Sequence, residues 1–337
     1  MSKNRQWLLK QRPRGMVGPE HFELVASDMP RPDFSRGEVL LKTRMLGFDP
    51  AMRGWIIDQP SYLPPVQLGE VMRASSVCEV VASQSPELPE GTLVRGMTGW
   101  QEYCVAGPGS AMPPEPLPQG MTPEMALSVM GFTTLTAYYG LLEIGQPKPG
   151  DTVVVSGAAG ATGSAVAQIA KLKDCRVIGI AGGEEKCRWL RESCGIDELI
   201  DYRSEDVASR LQELCPVAIN VFFDNVGGAT LEAVIDQMAD FGRIALCGSI
   251  STYNDAEPGP GPRNLMTLVR RRIRMQGFIV LDFLDRYQAA MAEIGEWVRD
   301  GKIAWRADVQ QGFENIPTTL LRLYSGANQG KQLLELP

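Results

Sequence analysis

The segment Gly157-Ala-Ala-Gly160-Ala161-Thr162-Gly163 follows the apolar run Thr152-Val-Val-Val-Ser156 and opens a helix-like stretch that reaches Lys173. Small residues at such a junction let backbone N–H groups and the positive end of a helix face one site, which is how a protein holds a pyrophosphate. A second apolar run, Arg176-Val-Ile-Gly-Ile180, completes the strand–helix–strand context that separates a dinucleotide site from an ordinary turn. A site that selects a ribose 2′-hydroxyl carries an acid at the end of that second strand. Here the strand ends in Ala181-Gly182-Gly183, and a cation and a hydroxyl follow, Lys186 at the start of the next helix and Tyr202 after the run Glu198-Leu-Ile-Asp201. The pairing predicts a 2′-phosphate, and so NADPH/NADP+ rather than NADH. The alternative is a solvated lysine beside a half-buried tyrosine, with Glu184 and Glu185 setting negative charge against the lysine.

These groups need a sheet to hold them. Beyond residue 200, strands are predicted over 218–223, 243–247 and 275–280, with helices over about 229–239 and 286–300. Such alternation asks for a parallel, doubly wound sheet. Upstream, one helical pattern runs from Thr122 to Ile144 and stops at Pro147-Lys-Pro-Gly150. Residues before it carry frequent Pro and Gly and short alternating strands such as Glu38–Lys42 and Val77–Ala82, the pattern of an irregular β domain. The end of the chain returns to mixed β and loop character. The expected organisation is therefore a β domain over 1–125 and 304–337, with a nucleotide domain over 126–303 inserted in it. A length of 337 residues suffices for two cores.

A formal charge of −7 leaves no basic excess to neutralise phosphates, so nucleic acid is not an expected partner. The one basic run, Arg270 to Arg274, leads into apolar residues and reads as an exposed sheet flank. Seven cysteines without paired spacing suggest free thiols in a reducing compartment. With neither a signal peptide nor an apolar span of about 18 residues, no membrane association and a cytoplasmic location are expected. The single histidine, His21, reads as a surface residue, and without a Cys-x-x-Cys pair no metal site is predicted.

Several motifs stand in order along the chain: Asp49-Pro50 with Met52-Arg53-Gly54, Pro60-Ser-Tyr62 with Pro64-Pro-Val66, Leu135-Thr-Ala-Tyr-Tyr-Gly-Leu-Leu142, and Gln168-Ile-Ala-Lys-Leu-Lys173. Asn225-Val-Gly-Gly228, Cys247-Gly-Ser-Ile-Ser-Thr-Tyr-Asn254, Gln276-Gly-Phe278 and Asn328 with Gly330-Lys331 follow. On these motifs, over nearly its whole length, the chain resembles the medium-chain dehydrogenase/reductase superfamily, specifically its zinc-free NADPH-dependent double-bond reductases of the curcumin and prostaglandin type. The resemblance implies an α/β fold, a GroES-like β domain plus an inserted Rossmann domain. It implies that Gly160, Ala161, Thr162, Gly163 and Gly182 line the dinucleotide and that Lys186 and Tyr202 meet its 2′-phosphate. It places Asn225, Cys247, Gly248, Phe278, Val280 and Asn328 along the nicotinamide half. Tyr253 matches the tyrosine set at the substrate carbonyl, and Tyr62 is a second candidate. A loop tyrosine packed against Pro258, Pro260 and Pro262 is the other reading of Tyr253. The family also associates as homodimers, expected here through the sheet edge near Arg274 to Val280.

The reaction so implied is hydride delivery to the β-carbon of an enone or enal, then protonation of the α-carbon. Negative charge develops on the carbonyl oxygen, where Tyr253 and the cofactor's ribose hydroxyl would stabilise it. A quinone reductase shares the fold, and a nucleotide-binding redox sensor or scaffold without turnover is the non-enzymatic rival. The sequence departs from the family where substrate would sit. Ala51 replaces an aromatic residue, Gly69-Glu70-Val-Met-Arg73-Ala-Ser75 replaces a glycine-rich run, and Thr133-Thr134 replaces Pro-Gly. With Arg53, these give a candidate substrate pocket of Ala51, Arg53, Glu70, Arg73 and Thr133. An inward Arg73 would offer a planar fork to a carboxylate; a surface Arg73–Glu70 pair is the alternative.

Overall fold

The computed structural model describes residues 3–257 and 259–337, so Met1, Ser2 and Pro258 lie outside the described residues. The chain forms two units, Met1–Leu127 with Ala307–Pro337, and Ser128–Arg306.

The first unit opens with an antiparallel pair, β1 (Lys3–Leu9) and β2 (Phe22–Asp28). Next come β3 (Val39–Gly47), the short α1 (Met52–Trp55), β4 (Ser76–Ala82), β5 (Leu93–Gly96), β6 (Tyr103–Ala106), β7 (Glu115–Pro116) and α2 (Pro123–Leu127). Buried residues alternate along the first part of β3, the pattern of a strand with one face turned inward. Trp100 is fully buried at the centre of one core, with the rings of Phe22 and Phe48 at 4.8 and 5.9 Å. His21 corrects the sequence reading. It is only 8% exposed, because its Nδ1 accepts the Gly18 amide at 2.9 Å and so closes its own turn.

The second unit begins with α3 (Phe132–Tyr139), followed by a π-helical turn over Gly140–Gly145. The single helix expected from Thr122 to Ile144 is thus broken. Gly131 is extended (φ −113°, ψ −174°) and starts α3 afresh, and Gly140 leaves space that the Phe278 ring occupies. Then alternate β8 (Thr152–Ser156), α4 (Ala161–Leu172), β9 (Arg176–Ala181), α5 (Glu184–Glu192), β10 (Glu198–Asp201), α6 (Val207–Leu214), β11 (Ile219–Asp224), α7 (Gly228–Gln237), β12 (Met238–Leu246), α8 (Met266–Arg271), β13 (Arg274–Gly277) and α9 (Tyr287–Arg299). All six strands are parallel in the order β10-β9-β8-β11-β12-β13. The order reverses between β8 and β11, and in such sheets a ligand lies outside the carboxyl ends of the strands at that reversal.

Three further expectations are corrected here. The strand predicted to reach Val280 stops at Gly277, since Phe278 leaves the pleat to pack on Phe223 and a 3₁₀ turn runs from Val280 to Arg286. The basic run is a sheet flank only at Arg274, which is exposed and opens the edge strand β13, while Arg270 and Arg271 end α8 and Arg272 is left-handed (φ 51°). The chain then returns to the first unit through β14 (Ala307–Gln311), α10 (Ile316–Ser325) and β15 (Lys331–Glu335), so a regular helix stands where only mixed β and loop character is expected. Ile316, Leu320 and Leu323 give α10 its buried stripe. In the sheet of this unit β15 lies between β14 and β3.

Candidate active site

The turn after β8 is shaped by glycine. Gly157 has φ +60°, and a Cβ on Gly163 would stand 2.3 Å from the Gly157 carbonyl oxygen, so only glycine lets α4 start this close to the turn. Gly160 caps α4 without a side-chain hydrogen bond. The first-turn amides of Ala161, Thr162 and Gly163 have no intrahelical acceptor, and the helix dipole adds positive potential where they point. The Ala158 amide donates to Ile180 O at 3.0 Å and ties the turn to β9. The residues present therefore fit a pyrophosphate.

The end of β9 is similarly open. Gly182 is buried beneath the Tyr202 ring, where a Cβ would stand 2.6 Å from the hydroxyl. Gly183 adopts φ +97°, and its amide and that of Arg203 both donate to Asp201 Oδ1, at 2.8 and 3.0 Å. Burial would raise the Asp201 pKa, but these amides outweigh it and hold the carboxyl below its usual value. Asp201 is thus engaged with backbone and is no substitute for a ribose-binding acid. Lys186 is half-buried in the first turn of α5, while Glu184 pairs with Arg188 at 2.8 Å. Sequence reading missed Arg203. Its exposed guanidinium makes no ion pair among the described residues, and Nη1 lies 3.7 Å from where a Cβ on Gly183 would be. A cation directly after the strand-end tyrosine was the available signal.

At the strand-order reversal, Asp224 organises the ends of β8, β11 and β12. Fully buried, its Oδ1 accepts from Ser156 Oγ (2.7 Å), Val226 N (2.9 Å) and Gly227 N (3.0 Å), and its carbonyl accepts from Cys247 N and Gly248 N. Burial raises the Asp224 pKa against those hydrogen bonds. The Asn225 side chain donates to Ser156 O at 2.7 Å. Asp224 and Ser156 were also missed, although an acid ending an apolar strand before Asn225-Val-Gly-Gly228 marks them. The Cys247 thiol is pushed up to about 12 by burial and then by Asp224, which keeps it protonated. Tyr253 is half-buried, and its hydroxyl accepts the Ser249 amide at 3.2 Å. Phe278 meets Phe223 edge-on at 6.1 Å, and Val280 starts the turn beyond.

The remaining candidates lie in the first unit, except Thr133, whose hydroxyl donates to Ser128 O within the second. Tyr62 is 44% exposed and accepts Trp55 Nε1 at 2.8 Å. Ala51 is half-buried in the turn that enters α1. Arg53 is 4% exposed, with Nη2 on the Gly15 carbonyl at 3.0 Å, and burial lowers its pKa. Glu70 and Arg73 do not pair. Glu70 accepts its own loop's Gln67 amide at 2.8 Å, whereas Arg73 donates to Pro64 O at 3.0 Å and lies 5.8 Å over the Trp55 ring. Arg73 also borders a cavity of about 210 Å³ shared with Met97, Thr98, Gln101 and Met112. Asn328 donates to Gly330 O, and Lys331, 3% exposed, pairs with Asp49.

Residues 5–113 match the family described as the N-terminal domain of oxidoreductase, and residues 161–296 match the one described as zinc-binding dehydrogenase. The chain is 42% identical to the NADPH-dependent curcumin reductase of Escherichia coli (strain K12), over 99% of this chain and 97% of that protein. It belongs to the medium-chain dehydrogenase/reductase family, in the group of the curcumin and prostaglandin reductases. Prostaglandin reductase 1 of Mus musculus is 37% identical, over 99% of this chain and 100% of its own length. The crystal structure of CurA from Vibrio vulnificus in complex with NADPH superposes with a TM-score of 0.92 at 43% identity and covers 99% of both chains. The protein is accordingly an oxidoreductase. Although one family description names zinc, no group of three or more His, Cys, Asp or Glu among the described residues is placed to hold a metal ion. No helix among them is long and apolar enough to cross a membrane.

Proposed function

We propose that this medium-chain reductase uses NADPH to reduce the carbon–carbon double bond of α,β-unsaturated ketones or aldehydes. NADPH, when bound, supplies the hydride that reaches the β-carbon. The chain's own part is to bind, orient and donate. The α4 amides and the turn at Gly157–Gly163 hold the pyrophosphate, and Lys186, Tyr202 and Arg203 read the 2′-phosphate in a place where no strand-end acid would reward a 2′-hydroxyl. The observation that carries the reading is Tyr253 at the strand-order reversal, with one lone pair of its oxygen taken by the Ser249 amide. A phenol so held is disposed to donate a hydrogen bond to a carbonyl oxygen, a bond that strengthens as enolate charge develops, and protonation of the α-carbon then completes the reduction.

The test uses an enone, its saturated ketone and a quinone, each with NADPH deuterated at C4 on one face or the other. Deuterium at the β-carbon of the reduced enone, from one of the two epimers, is the expected result. Turnover of the quinone alone, or label at the carbonyl carbon, refutes the proposal.

A further inference from the structure

Tyr253 reaches its place because position 248 has no side chain. A Cβ built on Gly248 would stand 2.7 Å from the Tyr253 hydroxyl oxygen, closer than non-bonded atoms pack. Its next neighbours would be Asn225 O at 3.6 Å and Tyr253 Cζ at 3.8 Å, both ordinary contacts. The backbone itself does not require glycine, since Gly248 is not among the residues with positive φ. What keeps a side chain out is the phenol oxygen. The amide next to it, Ser249 N, donates to that oxygen at 3.2 Å, and the Gly248 amide is anchored in turn on the Asp224 carbonyl at 3.1 Å.

We infer that Gly248 is a positioning residue for Tyr253: its bare Cα forms the seat for the phenol oxygen, and the Ser249 amide holds the oxygen there. The inference rests on the proposed role of Tyr253. A methyl group at 248 fills the seat and pushes the hydroxyl outward. The displaced atom is the far end of a side chain in a partly exposed turn, so the fold survives while the donor is misplaced. Displacement of a catalytic group by about 1 Å can cost on the order of 10²-fold in rate. Tyr253→Phe removes the one atom that a methyl at 248 would strike, so the two substitutions are coupled with a defined sign.

The experiment compares wild type, Gly248→Ala, Tyr253→Phe and the double variant. It measures kcat where a deuterium isotope effect shows hydride transfer to be limiting, KM for NADPH, and exchange of the Ser249 amide by NMR. Gly248→Ala is expected to lower kcat about 10-fold or more, with KM for NADPH changed less than about 2-fold. The double variant should be no slower than Tyr253→Phe, and Ser249 exchange should accelerate in both single variants. A Gly248→Ala loss that recurs in full on the Tyr253→Phe background would mean that position 248 acts on the nucleotide directly, and would overturn the inference. Unchanged Ser249 exchange in Tyr253→Phe overturns it without any variant at 248. If Tyr253→Phe keeps its kcat, the catalytic reading of the tyrosine fails, and Ser249 exchange in Gly248→Ala still decides whether the seat exists.

Discussion

At the scale of single residues, the proposed 2′-phosphate contacts make the sharpest predictions. Lys186→Ala and Arg203→Ala each remove a charge-assisted contact of about 1.5–3 kcal/mol, so KM for NADPH should rise roughly 10-fold or more while KM for NADH stays put. Calorimetry with 2′-AMP, which carries the phosphate without the reacting half, should show the same weakening. Equal losses with both cofactors would remove these residues from the site. For Tyr253→Phe, loss of one donor to a developing oxyanion is expected to cost about 10²-fold in the hydride step, with NADPH affinity nearly unchanged. An unaltered hydride step would return Tyr253 to a packing role. We propose that Arg73 bears on substrate choice; its Nη1 has no hydrogen-bond partner among the described residues. A matched enone carrying a carboxylate should have a higher kcat/KM than its neutral analogue in wild type, and Arg73→Ala should erase the difference. The same ratio in both proteins would show that Arg73 does not read the substrate.

At the scale of elements, the glycine turn and the strand–helix alternation were legible because local rules decide them: a strand that must pass into a helix beside a phosphate leaves small residues wherever backbone approaches backbone. Gly163→Ala, which sets a Cβ against the Gly157 carbonyl, should accordingly weaken NADPH binding and lower stability by about 1–3 kcal/mol, both readable in melts with and without cofactor. The features that sequence did not show depend on distant partners. Nothing near Gly140 announces that Phe278 fills its space, so a π turn looked like plain helix and a four-residue strand looked longer. His21 was misread for a different, local reason: its burial follows from a turn that its own ring closes. Helix α10 was within reach, since Pro317 in its first turn and Gly326 at its end, with φ +67°, are ordinary start and stop signals. It is tied down by Arg322, which pairs with the nearly buried Asp308 at 2.7 Å. Burial would raise the Asp308 pKa, but the Arg322 bond, with Gln310 and the Gln329 amide, holds it below its usual value. A depressed carboxylate gives its full stabilisation above the unfolded value of 3.8 and loses it as pH falls through the folded value. Arg322→Ala should therefore lower Tm at neutral pH, and the gap from wild type should close on acidification. A gap independent of pH would mean that only packing was lost.

At the scale of the whole molecule, β13 is an edge strand, and Phe241, Leu265, Met266 and Val269 leave large apolar side chains 46–66% exposed in the same unit. Open edges and apolar surface together favour association, and we expect a homodimer, seen by light scattering as twice the chain mass at micromolar concentration. A monomer there would refute it. The order of assembly follows from another feature, the place of β15 between β14 and β3. The ribosome delivers Ser128–Arg306 as one uninterrupted stretch, able to fold while synthesis continues, as domains generally do. The unit begun first is finished last: until the final residues emerge, β3 lacks one neighbour and Asp49 lacks the ammonium of Lys331. A premature stop shortly after Arg306 would therefore leave a nascent chain whose later-made half is sound and whose earlier-made half exposes an open sheet edge, a product that proteases and chaperones would meet at its N-terminal end.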